Sequence, residues 1–163
     1  LKELYIIRHA KSSWGNSQLK DFDRPLNDRG RATAPKMGDW LVAAGIFPDV
    51  IISSSAVRAL TTARLVANRF KSHVDIIEEF KLYHGSTLLL LNIVNCLPDK
   101  FDKVFIVGHN PGLTDFAEYL SNEHFGNLPT AAIVGIRFDV DSWSFVSGST
   151  GNCFLYDYPK NTP

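Results

Sequence analysis

Three repetitions of one layout predict an α/β domain built in layers. Each begins as an apolar, β-branched run, passes through a polar turn and continues into a helical pattern. After Pro129 the layout changes to strand, turn and strand, which adds antiparallel pairing at the C-terminal end. The length of 163 residues suits one compact domain over residues 1–163 and leaves no room for a second core of useful size.

The first strand is Leu4-Tyr5-Ile6-Ile7, ending on Arg8-His9. A polar loop from Lys11 to Leu26 delays its helix. Asn27 can cap that helix, Ala32, Met37, Trp40 and Leu41 supply an apolar stripe, and Ala44-Gly45 ends it. The second strand is Val50-Ile51-Ile52, followed by Ser53-Ser54-Ser55 and a helix over roughly 56–70. A weak strand near Val74 to Ile77 and a short helix near Thr87 to Cys96 come next. The third strong strand is Val104-Phe105-Ile106-Val107, and Gly108-His109-Asn110-Pro111 follows it. Asn110 reads as an N-cap and Pro111 as the first position of a helix through Leu120. Ala132 to Val140 reads as a strand, Asp141-Ser142 as a turn and Trp143 to Val146 as the return. Cys153 to Tyr158 supplies a candidate final strand.

Composition narrows the function classes. Seventeen basic and seventeen acidic residues give zero formal charge, so no broad basic surface for nucleic acid is expected, although a local basic pocket stays open. Apolar runs are too short for a signal-peptide core or a membrane span, so no membrane partner and a cytoplasmic location are expected. Cys96 and Cys153 form no CxxC pair, and each reads as a small buried apolar residue rather than a zinc ligand or disulfide partner.

Ligands of open α/β sheets bind where strands end at their carboxyl edge. Arg8 and His9 close the first strand, Arg58 enters the helix after the second, and His109 closes the third. Alone, a strand-end histidine is more often structural, and an arginine early in a helix is more often a solvated charge. Together, at one sheet edge beside exposed helix N-terminal amides, they point to a site for a tetrahedral anion.

The run Ile7-Arg8-His9-Ala10-Lys11-Ser12 resembles the RHG-type signature of the histidine phosphatase superfamily, with alanine in place of glycine. Ser54 through Ala63, with Arg58 inside it, is similar to that family's second segment, and Val107-Gly108-His109-Asn110-Pro111 to its third. The RHAKS start, the Asp23-Arg24-Pro25-Leu26-Asn27 loop and Leu82-Tyr83 look most like the SixA-type branch, whose members dephosphorylate histidine on signalling proteins. The resemblance implies a three-layer α/β/α sandwich of phosphoglycerate mutase type, with a mostly parallel central sheet and an antiparallel C-terminal hairpin. It implies His9 as nucleophile, forming a phosphohistidine, with Arg8, Arg58 and His109 as phosphate-binding catalytic residues and no metal or other cofactor. The partner implied is a phosphorylated substrate, above all a phosphohistidine-bearing protein. A small-molecule phosphomonoesterase and a phosphate-binding module without turnover are the alternatives.

The residues themselves agree with a metal-free reading. Neighbouring guanidiniums disfavour protonation of His9 and also disfavour a zinc ion between His9 and His109, for which no carboxylate or cysteine partner is near in sequence. Lys11 reads as a solvated lysine at the rim, Arg24 as a loop-fixing partner of Asp21 or Asp23, and His73 and His124 as surface residues. His84 is either beside the pocket or a surface histidine, and Trp14 either a platform or a loop anchor. Two features of the mutase relatives have no clear counterpart. Gly15 stands where they carry an asparagine, with Asn16 as a possible substitute, and their general-acid glutamate has no match beyond Glu78 or Glu79 in uncertain register.

Overall fold

The computed structural model describes residues 1–159. Strand β1 (Lys2–Arg8) is central to a six-stranded sheet. The other strands are β2 (Val50–Ser53), β3 (Ile76–Glu78), β4 (Lys103–Gly108), β5 (Ile133–Phe138) and β6 (Asn152–Asp157). Their spatial order is β3-β2-β4-β1-β5-β6. Pairing is parallel from β3 through β1 and antiparallel at β1–β5 and β5–β6. The near-continuous apolar runs of β1, β2 and β4 fit strands covered on both faces.

Helices α1 (Asp28–Ala43) and α2 (Val57–Ala67) cover one face, packing Ala34, Met37, Leu41, Ala59, Ala63 and Val66 on Tyr5, Ile7, Ile51, Phe105 and Val107. Helices α3 (Thr87–Asn95) and α4 (Gly112–Ser121) cover the other, packing Leu90, Val94, Leu113, Phe116 and Leu120 on Leu4, Ile6, Val104 and Ile106. Alternate residues of one strand thus serve opposite layers, as the two-residue pleat requires. The expected α/β/α sandwich is present.

Several element details differ from the sequence reading. Ala32 is exposed, because the buried stripe of α1 runs through Gly30, Ala34, Met37, Gly38 and Leu41, a three-and-four spacing that Ala32 misses. Pro111, not Asn110, occupies the N-cap position of α4, and the Asn110–Pro111 peptide is cis. Asn110 still caps that end, its Oδ1 accepting from the Thr114 backbone N–H at 3.3 Å and the Thr114 hydroxyl at 2.8 Å. Trp143 to Val146 is no return strand: Trp143–Phe145 is a 3-10 turn, and β6 is the partner of β5. Trp143 is fully buried, with its indole N–H on Phe101 O at 2.7 Å and its backbone N–H on Asp99 Oδ1 at 3.0 Å. That burial outweighs any gain from pairing so short a segment. Cys96 is exposed and Cys153 half-buried, so neither is the fully buried residue expected.

Candidate active site

The parallel half of the sheet delivers β1, β2 and β4 to one carboxyl edge, and the predicted residues meet there. A cleft of about 430 Å³ is lined by Arg8, His9, Arg58 and His109, together with Asp21, Arg24, Tyr83 and others from the loops around them. Lys11 and Trp14 stand exposed at its rim.

His9 follows β1 directly and is 6% exposed. Its Nδ1 lies 2.6 Å from Ala10 O. A carbonyl only accepts, so Nδ1 carries the proton and Nε2 keeps its lone pair. Burial lowers its pKa to about 4, opposed in part by the Ala10 hydrogen bond and assisted by the smaller effects of the Arg58, Arg8 and Arg24 charges. Burial thus counts for more than the guanidiniums to which the sequence reading attributed the effect. His9 is a free base at neutral pH, with a nucleophilic nitrogen facing the cleft's cations.

His109 follows β4, its ring centroid 5.2 Å from that of His9. Its Nε2 is 2.8 Å from Ser54 Oγ, on the turn after β2. Ser54 Oγ accepts from Ala56 N at 3.2 Å, so its own proton is available for His109 Nε2. The imidazole proton then sits on Nδ1, which is buried and without a partner among the described residues. Burial, followed by the His9 and Arg58 neighbours, lowers the His109 pKa to about 3.

Arg8 Nη1 donates to Leu128 O at 2.8 Å, while its Nε is buried and unpartnered among the described residues. Burial and Arg58 pull its pKa below the ordinary guanidinium value. Arg58, in the first turn of α2, turns Nε toward His9 Nε2 at 3.4 Å. Its Nη1 donates to Asp21 O at 2.6 Å and its Nη2 to Asp21 Oδ2 at 3.0 Å. Unpaired donors on buried cationic and imidazole groups are costly in the absence of an acceptor. Arg8, His9, Arg58 and His109 all line the one cleft, a set of side chains that suits a phosphoryl group.

The remaining candidates separate cleanly. Arg24 is buried and pairs with Asp21 at 2.8 Å, not with Asp23, and donates to Ser13 O and Ser12 Oγ. Trp14 lies over the Arg24 guanidinium at 3.3 Å yet is 79% exposed. His84 lines the cleft and stacks on Tyr83 at 4.0 Å, whereas His73 and His124 lie on the surface. Asn16 only accepts from Gln18 N and does not line the cleft, so it replaces nothing at the Gly15 position. Neither Glu78 nor Glu79 lines the cleft; the Glu79 carboxylate accepts from Lys81 N. Among the described residues no three His, Cys, Asp or Glu side chains gather in a way that could hold a metal ion. Asp21 and Ser54 are the members that sequence reasoning missed as parts of the site. The paired aspartates of the Asp21-Phe22-Asp23-Arg24 loop were the available signal for the first.

Residues 4–84 match the family model for the histidine phosphatase superfamily, branch 1. A Picosynechococcus protein is 30% identical over 141 residues, covering 83% of this chain and 84% of its own length. The chain belongs to the histidine phosphatase superfamily. This histidine phosphatase is also 33% identical over 130 residues to a chloroplastic Arabidopsis thaliana protein, covering 74% of this chain and 59% of that one. Among solved structures, SixA of Agrobacterium tumefaciens superposes with a TM-score of 0.81 at 23% identity, covering 97% of this chain and 98% of that one. The protein histidine phosphatase SixA in complex with tungstate gives 0.84 at 20% identity, covering 98% of each. The fold of this histidine phosphatase is accordingly the SixA, phosphoglycerate mutase-like one. The family match ends before β4, so His109 takes its place in the site from the fold. No helix among the described residues is long and apolar enough to cross a membrane.

Proposed function

We propose that this histidine phosphatase hydrolyses phosphohistidine on a protein through a covalent intermediate on His9. The observation that carries the reading is the His9 imidazole, tied through Nδ1 to Ala10 O with Nε2 beside the Arg58 guanidinium. Nε2 attacks phosphorus, the bond from phosphorus to the substrate's imidazole nitrogen breaks, and that nitrogen takes a proton from solvent. Water then attacks the His9 phosphoryl group, releasing phosphate and restoring the free base. Arg8, Arg58 and His109 bind the oxygens on which charge spreads, in a site where burial makes each donor count for more than in water.

Substrate class follows from the acids. Glu78 and Glu79 stay outside the cleft, and Asp21, the carboxylate that lines it, is held far below the usual carboxylate range by its hydrogen bonds to Tyr83, Arg24 and Arg58. Among the described residues that line this cleft there is then no carboxylic acid to protonate a poor leaving group, which favours phosphoramidates and aryl phosphates over serine or sugar phosphates. The fold likeness to a histidine phosphatase whose structure holds tungstate, an oxyanion, supports the same reading.

A panel of phosphohistidine peptide, aryl phosphate, phosphoserine peptide and sugar phosphates tests it. Phosphohistidine and aryl phosphate turn over at least a hundredfold faster, His9→Ala is folded but inactive, and acid-labile phosphate is trapped on His9. Chelators leave the rate unchanged. Faster turnover of sugar phosphates, or full activity in His9→Ala, overturns the reading.

A further inference from the structure

Asp21 is the carboxylate lining the cleft, and it bridges three parts of the chain. It sits in a 3-10 turn (Asp21–Asp23) within the loop after β1 and receives Arg24 Nη1 at 2.8 Å, Arg58 Nη2 at 3.0 Å and the Tyr83 hydroxyl. Its backbone carbonyl takes Arg58 Nη1 at 2.6 Å. Arg58 is therefore gripped along its whole Nη edge by one residue, and only the Nε edge is left toward His9.

We propose that Asp21 is a positioning residue for the phosphatase reaction, holding the Arg58 guanidinium so that its Nε edge meets the phosphoryl group on His9. This rests on the phosphatase reading above and assigns a task that the reading leaves open. The grip has a fixed base. Arg24 is itself pinned to Ser13 O and Ser12 Oγ and covered by Trp14, and Tyr83 packs edge-on against Phe22 beside Asp21. Without the carboxylate, Arg24 and Arg58 would face each other as like charges, and the long Arg58 side chain would recover its rotamer freedom.

A purely structural ion pair leaves a different signature. The loss of such a pair shows in stability, and here it leaves the Arg24 and Arg58 side chains, each 8% exposed, without their carboxylate. Misplacing a transition-state donor by about 1 Å, in contrast, costs about a hundredfold in rate. The effects on phosphate and on a transition-state mimic also differ in sign. Removing a negative charge from the pocket favours any bound dianion, whereas losing the alignment of Arg58 disfavours the trigonal-bipyramidal geometry.

The experiment compares wild type with Asp21→Asn and Tyr83→Phe by melting temperature, steady-state kinetics on an aryl phosphate, and calorimetric binding of phosphate and orthovanadate. In Asp21→Asn, kcat falls about 10- to 100-fold with KM within about threefold. Phosphate binds as well or better, vanadate binds at least tenfold more weakly, and the variant melts at a lower temperature but still cooperatively. Tyr83→Phe shifts kcat and vanadate binding the same way, by less. In an Arg58→Lys background Asp21→Asn adds less than a threefold further loss, because both act through one group. A kcat within threefold of wild type, equal weakening of phosphate and vanadate, or losses that multiply in the double variant would each overturn the proposal. Absence of turnover in the wild type on every phosphoryl donor overturns the phosphatase reading instead, and the two binding constants still decide the part played by Asp21.

Discussion

The protonation state of two imidazoles sets what the cleft can do. His9 and His109 titrate near pH 4 and pH 3 because burial withholds water from their charged forms. NMR titration of the imidazole C–H signals should therefore leave both in their neutral positions down to about pH 5, while a freely solvated imidazole turns over near pH 6.5. A midpoint near 6.5 for His9 would remove the free-base nucleophile's explanation. Ser54 offers a second check at this scale. It is fully buried, its hydroxyl serves His109 Nε2, and it caps Ala56 N. Ser54→Ala strips two buried groups of a partner, which costs about 1–3 kcal/mol in stability. It also frees the His109 ring, and kcat/KM should fall about tenfold or more, a loss of about 1.4 kcal/mol in transition-state binding per factor of ten. Unchanged kinetics in a destabilised Ser54→Ala protein would show that Ser54 supports the turn and not the ring.

Between elements, the decisive packing is the entry of α1 against the loop that leaves β1. Lys11 O accepts from Asn27 N at 3.0 Å, and Asn27 Oδ1 caps Gly30 N at 2.9 Å. A Cβ on Gly30 would stand 2.1 Å from Lys11 O, a backbone atom that cannot step aside. Gly30→Ala should accordingly cost about 1–3 kcal/mol, and thermal melts should show a drop of several degrees; an unchanged melt would mean the contact is slack. This cap was legible in the sequence, as were β1, β2 and β4, because caps and apolar runs are local signals within a few residues. The convergence of Arg8, His9, Arg58 and His109 was legible because each follows a strand whose direction the α/β pattern dictates. The partner of β5 was not: Trp143 to Val146 alternates well enough to pass as a strand, and only the burial of Trp143 against Asp99 and Phe101 decides otherwise. Asp21 escaped for the same reason, since its partners Arg58 and Tyr83 lie 37 and 62 residues away.

For the molecule as a whole, the neutral imidazoles are a liability in acid. Unfolding frees them to bind protons near pH 6.5, while the folded state refuses protons until about pH 4 and pH 3. The unfolded state then binds more protons, so stability falls as pH drops from about 6.5 toward 4, with a slope of up to about 1.4 kcal/mol per pH unit for each histidine. The folded-state carboxylate of Asp21 adds its own loss only below about pH 4, where an unfolded aspartate protonates. Melts between pH 7 and pH 5 should show the early decline, and His9→Asn with His109→Asn should flatten it; a flat wild-type profile would contradict the depressed values. One further consequence lies in how β1 ends. Arg8 N donates to Ala132 O, His9 N donates to Gly108 O, and Ala131 N reaches both Arg8 O and His9 O, so neighbours on both sides clamp the peptide units of Arg8 and His9. The stretch from Asn16 to Leu19 lies exposed, and its hydrogen bonds among the described residues run between its own near neighbours. In deuterium-exchange experiments the amides of Ile7, Arg8 and His9 should exchange only as fast as the whole protein unfolds, and those from Asn16 to Leu19 orders of magnitude sooner. Such a pattern would leave the 16–19 loop free to change shape around different partners without disturbing the His9 imidazole.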